Sequence, residues 1–111
     1  MIISGSRRSG KTHYAISNLV DDNTLVLVDD INCKRYINMI KPNVKVLCKN
    51  HDKLINYVFL NNIKRVIVDE FSLSHDFNLL SLQSMGFELV LILRTERVET
   101  SFNDEKIYFS R

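Results

Sequence analysis

Two cysteines, a single proline and no long apolar run set the first limits on this 111-residue chain. Cys33 and Cys48 lack C-x-x-C spacing, and a structural zinc needs about four ligands, so both read as reduced, packed thiols. No stretch approaches the roughly 18 apolar residues that cross a bilayer, so no membrane partner is expected. The first residues read as a strand and a glycine loop rather than a charged region before an apolar core, which argues against a secretory signal. The expected location is cytoplasmic, or host cytoplasm for a viral protein. A net charge of +2 is too small to argue for nucleic acid by itself. Repeats, low-complexity tracts and linkers are also absent, so one domain over 1–111 is expected. Plentiful Asn and Ile point to an AT-rich coding sequence, and so toward a virus, phage or mobile element.

What is present is ordinary for a globular protein, with 45% hydrophobic and 25% charged residues. Apolar runs alternate with segments of helical period. Strands are expected at 1–4, 24–28, 44–48, 65–68, 87–93 and 107–109, and helices at 11–20, 31–40, 53–59 and 74–85. Ser74 is a candidate cap for the last helix and Gly86 its terminator, while Pro42 falls between two elements. The central strands are continuously apolar, as strands buried on both faces are. The expected fold class is α/β: a three-layer α/β/α sandwich on a mainly parallel sheet of five to six strands. Ligands in such sheets bind outside the carboxyl ends of the strands.

The strongest signal is Gly5-Ser6-Arg7-Arg8-Ser9-Gly10-Lys11-Thr12, which satisfies G-x-x-x-x-G-K-[ST] at every fixed position. Glycines let the backbone curl so that successive N–H groups face phosphate oxygens. The following helix adds its positive dipole end. Lys11 is expected at the β- and γ-phosphates, and the Thr12 hydroxyl on Mg²⁺. Arg7 and Arg8 read either as contacts to a triphosphate, a neighbouring subunit or a nucleic-acid backbone, or as solvated side chains.

Val66-Ile67-Val68-Asp69-Glu70 is an apolar strand ending in two carboxylates. With the phosphate loop it resembles the Walker A and Walker B pair of P-loop NTPases. The resemblance is to the division with a catalytic glutamate beside the Walker B aspartate, which includes RecA-like, AAA-type, helicase and packaging ATPases. It implies that Asp69 supports the Mg²⁺ shell and that Glu70 polarises the attacking water. The plain alternatives are a helix cap for Asp69 and a solvated acid for Glu70. It implies further that the Asp69 strand is separated from the Gly5 strand by the strand at 87–93, with the last strand on the other side of the first. In this division a polar sensor of the γ-phosphate follows the neighbouring strand, and Arg94 and Thr95 stand at that place. Arg97 matches an arginine finger acting between subunits. For these three the alternative is a solvated turn.

Phe71 after Asp69-Glu70 adds a likeness to the core of thymidine kinases, in which the matching glutamate activates a nucleoside hydroxyl. The four-cysteine zinc lid of that family is missing. Superfamily 1 and 2 helicases share both motifs, but they need a second RecA-like domain. No N-K-x-D segment supports guanine recognition, so ATP is favoured by elimination. Asp30 is placed to cap the helix at 31–40, and His13 and His51 read as packed or solvated residues. The expected function is an ATP- and Mg²⁺-binding NTPase that hydrolyses ATP within a nucleic-acid-linked or viral assembly. Its partner classes are DNA or RNA, a homo-oligomer or a larger protein. The competing readings are a thymidine-kinase-like phosphotransferase and a non-catalytic, nucleotide-stabilised interaction module.

Overall fold

The computed structural model describes residues 1–5, 10–49, 52–69, 84–93 and 106–109. The elements in chain order are β1 (Ile2–Gly5), α1 (Lys11–Leu19), β2 (Thr24–Val28), α2 (Ile31–Ile40), β3 (Lys45–Cys48), α3 (Leu54–Leu60), β4 (Arg65–Val68), β5 (Glu88–Leu93) and β6 (Lys106–Phe109). The expected helix at 74–85 lies outside the described residues except for its last two. Helix ends differ from the periodicity by a residue. Lys53 is the N-cap of α3 rather than its first residue, and α1 stops at Leu19 because Val20 is extended.

Six strands form one sheet in the order β3-β2-β4-β5-β1-β6, and every pairing is parallel. β5 therefore separates β4 from β1, and β6 lies beyond β1, as the resemblance implied.

The strands' side chains alternate between two apolar clusters, as the period of two requires. Leu25, Leu27, Val66, Val68, Leu89 and Leu91 gather with Leu54 and Val58 of α3. Val26, Val28, Ile67, Val90 and Ile92 gather with Ala15 and Ile16 of α1 and Ile37 of α2. All five residues of β2 are buried, which is why its run Thr-Leu-Val-Leu-Val shows no polar alternation. Full burial of such an aliphatic side chain contributes about 1.5–3 kcal/mol, whereas an exposed ion pair contributes roughly 0–1. The two clusters therefore hold the fold, and the half-exposed pairs Lys49–Asp29 (2.8 Å) and Arg65–Glu88 (3.1 Å) only trim it.

Local polar contacts set the junctions. Asp30 Oδ1 accepts the Cys33 amide at 2.9 Å and so caps α2. After α3 the chain reverses through Asn62, at φ 52, a conformation that asparagine tolerates better than most residues. The Asn62 carbonyl accepts from the Asn23 side chain at 2.9 Å, joining that turn to the start of β2.

Candidate functional site

β1 ends at Gly5, and α1 begins directly after Gly10. Gly10 takes φ 88 and ψ 8, the left-handed region that costs L-residues with a Cβ roughly 1–2 kcal/mol. Its carbonyl accepts the first helical bond, from the Tyr14 amide at 2.9 Å. The turn into the helix thus depends on a glycine at the motif's second fixed position. Ser6, Arg7, Arg8 and Ser9 lie outside the described residues.

Lys11 opens α1 and is only 5% exposed. A lysine is rarely this enclosed without partners, and Lys11 is engaged by neighbouring groups. Thr12 follows, half-buried, at the amino end of the helix.

Asp69 stands one residue past β4 and is 7% exposed. Its amide donates to the Leu27 carbonyl at 2.9 Å, so the β4–β2 ladder carries on through it and fixes its backbone. The Thr12 hydroxyl donates to Asp69 Oδ1 at 3.0 Å. Two motifs far apart in sequence thereby meet at the carboxyl end of the sheet. Glu70, Phe71, Arg94, Thr95 and Arg97 lie outside the described residues, as does His51.

This donor set suits a small hard cation. A threonine oxygen whose proton is given to a carboxylate can offer only lone pairs, and the carboxylate is hard and anionic. Among the described residues no three His, Cys, Asp or Glu side chains gather on one point. Mg²⁺ usually keeps several waters and takes only one or two protein oxygens beside phosphate oxygens, a demand that the Thr12 and Asp69 oxygens could meet.

The surroundings are mixed. Asp29 pairs with Lys49 at 2.8 Å across the ends of β2 and β3. Cys33 and Cys48 are both free and half-buried. Burial pushes the Cys33 thiol above its ordinary pKa, and the neighbouring Asp30 carboxylate adds to the shift. Both effects disfavour the thiolate, the nucleophilic form of a cysteine. His13 is exposed, its Nδ1 lying 3.3 Å from Ser17 Oγ, and it takes no part in the Thr12–Asp69 contact.

Sequence reasoning missed Arg65. Its Nη1 donates to the Leu19 carbonyl at the far end of α1, and its Nε donates to Glu88 Oε2 at 3.1 Å. Lys41 Nζ similarly donates to the Val20 carbonyl at 3.1 Å. Helix α1 has no basic residue in its own last turn, so these two cations, from β4 and from the end of α2, face the negative end of its dipole. No local pattern announces such a contact, because it depends on which strand lies under the helix.

Compared with known protein families, with curated proteins and with solved structures, the chain matches none.

Proposed function

We propose that the chain is a P-loop NTPase domain, built as a three-layer α/β/α sandwich, that binds ATP with Mg²⁺ and hydrolyses it. The observation that carries this reading is the 3.0 Å hydrogen bond from the Thr12 hydroxyl to Asp69. A chance match to a phosphate-loop pattern has no reason to set its threonine against the aspartate of the second motif, at the end of a buried apolar strand. The strand order, with β5 between β4 and β1, supports placement in the catalytic-glutamate division.

In this reading the backbone N–H groups from Gly5 to Thr12 and the start of α1 hold the phosphates. Lys11 offers a charge-assisted contact to the terminal phosphates. Thr12 and Asp69 would hold Mg²⁺, which when bound neutralises charge on the phosphate oxygens. Glu70, next in sequence, orients and deprotonates the attacking water, and Arg94 or Thr95 senses the γ-phosphate. The protein works with nucleic acid, with copies of itself or with a larger protein partner.

Phosphate release from ATP by the purified protein, with and without DNA, tests the reading. Lys11→Ala should lose ATP binding, and Glu70→Gln should keep binding while release stops. Equal ATP affinity in wild type and Lys11→Ala would remove the phosphate-loop assignment. Tight binding without release, even in wild type, would leave a nucleotide-stabilised module or a kinase lacking its acceptor.

A further inference from the structure

Helix α1 and strand β4 are tied together at both ends. At one end the Thr12 hydroxyl meets Asp69, just past β4. At the other, Arg65, the first residue of β4, donates to the carbonyl of Leu19, the last residue of α1. Arg65 is itself oriented by Glu88 at the start of β5, through the 3.1 Å contact to Nε. An arginine fork can serve both acceptors at once, and a lysine can serve only one of them well.

The two ties constrain one rigid body. Gly10, Lys11 and Thr12 all belong to the start of α1, so they move with it. Asp69, just past β4, is fixed to the sheet by its amide bond to the Leu27 carbonyl and does not. The fulcrum is the buried pair Ala15 and Ile16 in mid-helix, about 5 Å along the axis from Thr12, so once the Leu19 end is released a tilt of roughly 10° displaces the Thr12 end by about 1 Å. Such a shift leaves the phosphate-facing groups of α1 in their mutual arrangement. It changes the distance from Thr12 to Asp69, and Mg²⁺ tolerates little departure from octahedral geometry.

We infer that Arg65 is a positioning residue for Mg²⁺: by holding the far end of α1 against β4 it sets the Thr12–Asp69 geometry at the near end. The inference rests on the P-loop reading above. It separates two quantities that a purely structural role would not separate, namely ATP binding without Mg²⁺ and the Mg²⁺ concentration that strengthens it.

The experiment is ATP binding by calorimetry across a Mg²⁺ titration, well below the melting temperature, for wild type, Arg65→Met and Arg65→Lys. Arg65→Met should need about tenfold more Mg²⁺ for half-maximal strengthening, with Mg²⁺-free affinity within about twofold of wild type; a 1 Å misplacement can cost up to about a hundredfold. Arg65→Lys, which keeps a cation at Leu19, should return to within about threefold. A lower Tm with an unchanged Mg²⁺ curve would overturn the inference. If Arg65→Met does not fold, Glu88→Gln loosens the guanidinium while leaving Arg65 in place. It should shift the Mg²⁺ curve the same way by about threefold, and no shift would again overturn the inference. Failure of the P-loop reading looks different, because wild type and Lys11→Ala would then bind ATP equally poorly.

Discussion

The Thr12 hydroxyl and the Asp69 carboxylate meet at 3.0 Å across 57 residues of sequence. Neither element brings them together alone. α1 follows the strand β1, Asp69 follows β4, and β5 stands between those two strands. The contact is therefore a product of the sheet order.

Its loss should show first in stability. Thr12→Val keeps the volume and removes the donor, leaving a buried carboxylate with one partner fewer. Unmet buried polar groups cost about 1–3 kcal/mol, and more when charged. Urea denaturation should show that loss for Thr12→Val, and much less of it when Asp69→Asn is combined with it, because the pair is coupled. ATP binding by Thr12→Val should also lose its dependence on Mg²⁺. Wild-type stability together with a wild-type Mg²⁺ response would mean that the contact has no part in either.

Gly10 gives a separate handle on the loop. A Cβ built at this position meets nothing within 4 Å, so a substitution here is opposed by the backbone and not by its neighbours. Gly10→Ala would ordinarily gain a little from a less flexible unfolded chain, but at φ 88 the left-handed penalty of about 1 kcal/mol outweighs it. Gly10→Asn should lose roughly half as much, since asparagine enters this region more readily, as Asn62 does in this same chain. The ranking Gly, Asn, Ala in denaturation midpoint checks the conformation, and an alanine variant more stable than wild type would contradict it.

The strands and the first three helices were legible because their signals are local. β2 and β5 read as continuous aliphatic runs, and the Ile37 face of α2 and the Leu54–Val58 face of α3 repeat at helical spacing. Asp30 as a cap was equally legible, since the acceptor lies three residues from the amide it serves. The separation of β4 from β1 by β5 and the place of β6 beyond β1 followed from the motif resemblance rather than from residue patterns, whereas the places of β2 and β3 came only with the structure. The Thr12–Asp69 contact could be expected from the paired motifs, but its geometry could not. Arg65 was illegible for a different reason. At the head of a strand it looks like any solvated basic residue, and its role appears only once the fold brings the head of β4 to the last carbonyl of α1. The roles assigned to Glu70, Arg94 and Thr95 rest on the motif alone, because those residues lie outside the described part of the chain.

The cap at Asp30 also predicts a pH response whose sign can be worked through. The backbone N–H of Cys33, first among the causes, holds the Asp30 carboxyl below its ordinary pKa of 3.8. Asp21 is lowered in the same way, first by the Thr24 hydroxyl and then by the Asn23 amide. Below 3.8 the unfolded chain takes up protons at these positions before the folded one does. The stabilisation they supply is therefore complete above that pH, and it drains away as the pH falls through the lowered folded values. Asp30→Asn keeps an acceptor of equal capping strength and cannot titrate. Its Tm near pH 7 should stay close to wild type, while its decline as the pH falls below 3.8 should be shallower, with Asp21 still contributing. Asp30→Ala should instead lower Tm by roughly 4 °C or more near neutrality, and its deficit should shrink as the pH falls through the lowered folded value. Thermal melts of the three proteins over this range decide the matter: an Asp30→Asn curve that falls as steeply as wild type would show that the acid response arises elsewhere.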